Sequence, residues 1–428
     1  MNLRKNWESN MSKQNFYQTL KAEVARIDEA QVTKRQENVI EGFTNDPSPK
    51  AIIAGKEYQI FNSNDYLGLR HHQTLKKAEH EGSEQYGAGP GAVRFISGSL
   101  KVHRDLEKAL AKFHGREDAM VFSSAFAANL AVLFSLIKGQ SKDSLLNNNT
   151  LVLSDELNHR SIIDGIRLAG LESEQKQIFP HLKPSEAAQV LEANKDKFDR
   201  VVIVTDGVFS MLGEFQDLKE LRRVVDQYDS VYKEGVLLVV DDAHGVAGSG
   251  ATGRGTEEVS GGKADVLIGT LGKGFGADGG YVVADQVVID YLRESAATYT
   301  YSNSISGATA AAALSSVNLV DSAEGQALLA SAKENIAYFK EEMTKVGFVF
   351  AADSNHAIQP LLIGDATKTK ALTKGLFDEG VLVTNINYPV VPKGRDEIRV
   401  QISATHTRED LSEFIGKITD VAKKVGVI

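Results

Sequence analysis

Cysteine is absent from this chain and tryptophan occurs once. Without a thiol there can be no disulfide scaffold, thiolate zinc site, iron–sulfur cluster or cysteine nucleophile. Long apolar runs are missing too: nothing approaches the ~18 unbroken apolar residues of a bilayer span, which excludes a membrane-spanning protein. Positive charge is in deficit, since 48 Lys plus Arg against 57 Asp plus Glu leave a net charge of −9. That balance argues against nucleic acid as the main partner. Met1–Phe16 carries basic residues but no apolar stretch behind them, so no secretory signal is expected and the cytoplasm is the expected location. What is present is ordinary globular usage, 42% hydrophobic and 25% charged over 428 residues, enough for two or three domains around a large core.

Four short runs rich in Val, Ile and Leu stand out: 150–153, 201–205, 236–240 and 266–268. They are continuous rather than alternating, as strands buried on both faces of a parallel sheet require. Between the second and third, Leu218, Leu221, Val225 and Tyr228 share one helical face, which gives a βαβ rhythm. Ahead of the body, Phe16, Leu20, Val24 and Ile27 predict an amphipathic helix, with a polar, frayed segment over 1–12. Beyond Ser306 an Ala-rich helix to Val320, a charged helix to Lys345 and short strand-like runs at 348–351 and 358–363 predict a smaller α+β domain. It closes on a helix capped at Thr407 and Asp410. No internal repeat or low-complexity tract appears.

Ligands of open α/β sheets bind outside the carboxyl ends of the strands. Here every run ends in chemistry: His159 follows the first, Asp206 to Ser210 the second, Asp241, Asp242 and His244 the third, Thr270 and Lys273 the fourth. One polar ending is what any surface loop shows, whereas four converging endings predict a site. Two patterns mislead. Gly269–Gly276 around Lys273 is no nucleotide P-loop, because Leu267 stands where a glycine is needed and Gly274 where Ser or Thr must follow the lysine. Gly248–Gly253 matches GxGxxG by letter, but lies several residues past the strand with no helix pattern starting on it.

Eight segments in order carry a likeness: 63–69 (Ser-Asn-Asp-Tyr-Leu-Gly-Leu), 94–98, 123–129, 158–165, 205–211, 241–245, 270–273 and 403–407. From about Phe61 to Thr407 the chain resembles the α-oxoamine synthases, within fold type I of the pyridoxal-phosphate enzymes. The resemblance implies an α/β fold, with a mostly parallel seven-stranded sheet between helices in a large domain and a smaller α+β C-terminal domain. Expected boundaries are an N-terminal helix and arm at 1–60, the cofactor-binding domain at 61–310 and the small domain at 311–428. By resemblance Lys273 would carry pyridoxal 5'-phosphate covalently, Asp241 would meet its ring nitrogen, His244 its ring hydroxyl and His159 its ring face. Ser124, Ala125, Phe126 and Thr270 would hold the phosphate, where a helix starting at 125 offers free N–H groups to an anion. Ser210 would complete the cofactor site. Asn64 and Arg399 would bind substrate, the guanidinium fork suiting a carboxylate. Ser302 would reach the cofactor of a neighbouring subunit, which implies a homodimer with shared sites.

Those roles suit the residue types. A carboxylate beside the ring nitrogen keeps the cofactor an electron sink, and a lysine desolvated near a cationic ring loses its proton more readily. The family joins an amino acid to an acyl-CoA. Stretches 298–304 and 388–394 look most like glycine C-acetyltransferase, and Asn387 stands where 8-amino-7-oxononanoate synthases carry an arginine, so glycine with acetyl-CoA is the leading expectation. Residues 274–276 resemble the oxononanoate synthases, and 94–98 and 161–165 serine palmitoyltransferase. A longer acyl chain, with a decarboxylating condensation, is the alternative.

Overall fold

The computed structural model describes residues 2–30, 33–141, 143–388 and 390–428, with side chains from residue 12 onward. Residues 1–44 and 50–58 form one compact unit and the rest another. The first unit holds the helix Asn2–Glu29 and the short antiparallel strands Gly42–Phe43, Ala51–Ile53 and the start of Lys56–Ile60. The expected fraying over 2–12 is corrected: this stretch is free of Gly and Pro, so the helix propagates through it to Asn2. The predicted stripe is there, with Phe16, Leu20 and Val24 exposed.

In the second unit, seven strands among the described residues make the main sheet: β1 (Asp118–Phe122), β2 (Thr150–Asp155), β3 (Lys176–Phe179), β4 (Arg200–Asp206), β5 (Val236–Asp241), β6 (Val266–Thr270) and β7 (Gly280–Ala284). Their order is β1-β7-β6-β5-β4-β2-β3. Only β7 runs against its neighbours; the other pairs are parallel. The continuous apolar runs follow from burial on both sides. Alternate side chains point to opposite faces, so Leu151, Leu153, Val201, Ile203, Leu238 and Val240 enter one core while Val152, Val202, Val204 and Val239 enter the other. Each strand runs one or two residues past its apolar stretch, which brings Asp155, Asp206, Asp241 and Thr270 into the sheet itself.

A third core surrounds an antiparallel sheet of Val349–Phe350, Ile358–Leu362, Glu397–Gln401 and Thr384–Ile386. Ile358, Leu361, Ile398 and Val400 from this sheet pack with Phe414 and Ile418 of the helix Arg408–Lys424, whose capping box joins Thr407 and Asp410. Phe61 and Tyr66 belong to the same core, while Ala310, Ala313 and Val317 of the Ala-rich helix belong to a core of the main sheet. No helix among the described residues is long and apolar enough to cross a membrane.

Candidate active site

Register brings the chemistry together. Asp241 pairs with Asp206 across β5 and β4, and in-register residues of a parallel pair project to the same side, so two carboxylates stand next to each other at the strand ends. A cavity of about 220 Å³ opens there. Of the residues expected from the sequence, it is lined by Ala125, Phe126, His159, Ser210, Asp241, His244, Thr270 and Lys273. Asn129, Ser161, Asp206, Val208 and Ala243 also line it.

Asp241 is buried and aimed by two donors: Asn129 Nδ2 at 2.6 Å and the Ala243 N–H at 3.0 Å. Its neighbour Asp242 is turned the other way, accepting the Thr256 N–H at 2.7 Å and bonding the Thr256 hydroxyl at 2.5 Å. Burial pushes the Asp242 acid up to about 8. A Cβ on Gly207, Gly245 or Gly255 would fall within 2.3 Å of that carboxyl group, so it is a packed structural element, and of this adjacent pair it is Asp241 that lines the cavity.

His159 caps the helix Arg160–Leu168. Its Nδ1 accepts from the Ser161 N–H at 3.3 Å and lies 2.7 Å from Ser161 Oγ. Ser161 Oγ in turn accepts from Asn129 Nδ2 at 3.0 Å, so one chain of contacts joins the imidazole to the Asp241 carboxylate. Asp206 Oδ2 accepts the His159 N–H at 2.9 Å. Burial, then the adjacent Asp241, holds the Asp206 acid well above the usual carboxylate range. Burial lowers His159, against the opposing pull of Asp241.

Lys273 lies beyond β6 in the glycine-rich loop. A Cβ at Gly276, whose φ is +66°, would fall 2.4 Å from the Arg70 nitrogen, so only glycine lets this loop close down. Burial lowers the Lys273 pKa while Asp241 and Asp206 draw it back up, the balance a proton-exchanging amine needs. Thr270 Oγ1 donates to the Gly279 carbonyl at 3.0 Å. Ser124 is the N-cap of the helix Ala125–Ile137, its Oγ taken by the Ala127 N–H at 3.1 Å. The cap uses Ser124 Oγ as an acceptor and leaves its O–H hydrogen to donate, although Ser124 does not line the cavity. Gly280 lets the helix start press against β7, since a Cβ there would lie 2.2 Å from the Ala125 nitrogen.

Three further expected residues stand off the cavity lining. Arg399 Nη1 donates to the Ser210 carbonyl at 2.7 Å, which sets the guanidinium behind a lining residue, and its Nε is buried with no partner among the described residues. Asn64 Oδ1 accepts from Gln401 Nε2 at 2.6 Å. Ser302 lies half-buried after the short helix Ala297–Thr300 and reaches nothing in this chain's cavity. Asn129 and Ser161 were missed as site residues although each lies in a recognised segment, and Asp206 was noted at its strand end without a role; their side-chain directions single them out. The GxGxxG-like loop is held by the Glu258 carboxylate, which accepts from Thr252 and Arg254, and builds no nucleotide site.

An amine, a facing carboxylate, an imidazole and a helix N-terminus around one cavity fit pyridoxal phosphate. The family model for class I and II aminotransferases matches residues 57–418. A Thermosipho melanesiensis protein named 8-amino-7-oxononanoate synthase is 39% identical over 379 residues, covering 88% of this chain and 91% of that protein. The chain belongs to the α-oxoamine synthases, within the class I and II aminotransferases. Among solved structures, a serine palmitoyltransferase holding pyridoxal phosphate superposes with a TM-score of 0.85 at 26% identity, covering 97% of this chain and 99% of that one. An 8-amino-7-oxononanoate synthase from Francisella tularensis gives 0.67 at 25% identity over 85% and 98%. This α-oxoamine synthase is therefore a pyridoxal-phosphate-dependent enzyme of the acyltransferase type. The leaning toward glycine C-acetyltransferase gains nothing from these likenesses. It rested on two stretches and on Asn387, and a difference at one position weighs little against 39% identity across most of the chain.

Proposed function

We propose that this α-oxoamine synthase condenses a small amino acid with an acyl-CoA longer than acetyl-CoA, releasing CoA and carbon dioxide and leaving an aminoketone. The observation that carries the reading is the meeting of Lys273, Asp241, His159 and His244 in one cavity backed by Arg399, in a chain with relatives named for that chemistry. Phe126 adds a partly exposed aromatic face at the cavity, suited to an acyl chain.

Pyridoxal phosphate, when bound, supplies an electron sink that acidifies the α-carbon of an amino acid. Asp241 would hold the ring nitrogen, His159 the ring face and His244 the ring oxygen. The first N–H groups of the helix Ala125–Ile137 and the Ser124 hydroxyl would hold the phosphate, joined by Thr270 once its O–H turns from the Gly279 carbonyl. Lys273 Nζ, which burial helps to keep neutral, would take the α-proton and return it. Arg399 would orient the substrate carboxylate with Asn64 beside it. A homodimer would bring Ser302 to the partner's cofactor, and the exposed Phe95 and Ile96, on a turn anchored by the buried Arg94–Glu107 ion pair, are suited to such an interface.

Glycine with acetyl-CoA is the second reading, favoured by Asn387 and the stretch 388–394. CoA release, assayed for glycine, alanine and serine against acetyl-, pimeloyl- and palmitoyl-CoA on protein that sediments as a dimer, separates the two. We expect a longer thioester to exceed acetyl-CoA at least about tenfold in kcat/KM. Glycine with acetyl-CoA as the best pair would replace the first reading by the second, and no CoA release from any pair would end both.

A further inference from the structure

His244 lines the cavity, yet it is gripped from behind by two rings that no role above requires. Tyr66 Oη lies 2.7 Å from its Nδ1, and His356 Nε2 lies 2.8 Å from its main-chain carbonyl. All three rings are buried, Tyr66 and His356 to 1% exposure. The His356 proton is placed by bonding alone: its Nδ1 accepts the Ile358 N–H at 3.1 Å, so Nε2 carries the hydrogen and donates to His244.

The same reasoning applies to the front pair. Burial holds the Tyr66 phenol far above its ordinary pKa and the His244 imidazole well below its own, where Lys273, His356, Arg399 and His159 also disfavour a cation. The pair therefore shares one phenol proton and one imidazole proton. Two acceptors are within reach of the phenol, His244 Nδ1 at 2.7 Å and Asn64 Oδ1 at 3.3 Å, and the latter already takes Gln401 Nε2 at 2.6 Å. Hydroxyl donors centre near ~2.7–2.8 Å and weaken beyond ~3.0 Å, so the short line takes the phenol proton. With Nδ1 filled, the imidazole hydrogen must sit on Nε2, the nitrogen left for a ligand.

We propose that Tyr66 is a positioning residue that fixes His244 as an Nε2–H donor toward the ring oxygen of bound pyridoxal phosphate. The proposal rests on the reading of this cavity as the cofactor site. An electron-rich ring oxygen needs a donor, and the opposite tautomer would face it with a lone pair. Removing the Tyr66 hydroxyl frees Nδ1 to take the proton, so His244 would divide between tautomers.

The test uses the full-length chain labelled with ¹⁵N-histidine, read by NMR before and after pyridoxal phosphate is added, with H244Q to assign the signal. In the wild type, His244 should be the Nε2–H tautomer in both states. In Y66F, with folding checked by circular dichroism, both tautomers should appear and cofactor affinity should fall about tenfold, the loss of one buried hydrogen bond. Wild-type His244 protonated on Nδ1 overturns the proposal, and that reading needs no variant to fold. Folded Y66F that keeps the wild-type tautomer and affinity overturns it as well. Wild-type protein that binds no pyridoxal phosphate overturns the site reading and the proposal together, whereas binding with the wrong tautomer overturns the proposal alone.

Discussion

Asn129→Leu removes the donor at the centre of the chain of contacts that joins His159 to Asp241 and keeps the branched outline of the side chain in a bulkier, apolar form. Asn129 is fully buried, and its Nδ2 serves Asp241 Oδ2 at 2.6 Å and Ser161 Oγ at 3.0 Å. A bond to a charged group contributes ~1.5–3 kcal/mol and a neutral one ~1 kcal/mol, while the leucine regains part of this as buried apolar surface. The net expectation is a loss of ~2–3 kcal/mol from the cofactor-free chain, because one carboxylate oxygen of Asp241 is left buried without its donor. On the proposed reading that this carboxylate meets the ring nitrogen, it is then held less firmly, and pyridoxal phosphate should bind about 10–100-fold more weakly, or ~1.4–2.8 kcal/mol. Urea unfolding of the cofactor-free protein measures the first quantity, and absorbance titration with the cofactor measures the second. If the variant unfolds within ~0.5 kcal/mol of wild type and binds the cofactor within about twofold, Asn129 does not hold Asp241 and the chain from His159 has no energetic meaning.

His181 sits between Asp155 Oδ1 at 3.0 Å and Glu214 Oε2 at 3.2 Å. Burial lowers its pKa, but the two carboxylates outweigh that and raise it to about 9. Because the folded value exceeds the unfolded one, its stabilisation is complete below about pH 6.5 and is lost as the pH rises to about 9. Screening at a half-buried site leaves ~1–2 kcal/mol of this. Wild-type urea stability should therefore fall over that window and His181→Gln should flatten the fall; parallel slopes would refute the assignment. Gly280→Ala should push the helix start at Ala125 away from β7, since the new Cβ would lie 2.2 Å from a backbone nitrogen. Overpacking of ~1–3 kcal/mol and a clear loss of cofactor affinity are expected, and wild-type thermal stability and affinity would show that the helix start yields without cost.

Residues that lie close together in the chain were readable before the fold was known. Thr150–Leu153 and its counterparts announced themselves as doubly buried strands, and their endings named Asp241, His244, Thr270 and Lys273, because a strand that leaves the core must end where its side chains can meet solvent or ligand. The helix Ala125–Ile137 begins where the anion-binding argument placed it. Ser124 was legible as a helix start, and the structure adds that its Oγ accepts the Ala127 N–H there. Likewise the stripe at Phe16, Leu20 and Val24 spelled a helix but not what covers it.

By itself the sequence determined the strand pattern, the polar strand endings that hold Asp206, Asp241, Asp242, His244 and Lys273, and the absence of thiol chemistry, since these depend on residue type and local periodicity. Only the tertiary structure showed that Asp242 turns away to Thr256, that Asp206 stands beside Asp241, and that Asn129 bonds Asp241 and Ser161 while Tyr66 bonds His244. The physical reason is direction. Side chains 112 positions apart, such as Asn129 and Asp241, meet through sheet register and helix packing, and neither leaves a mark in the order of the letters.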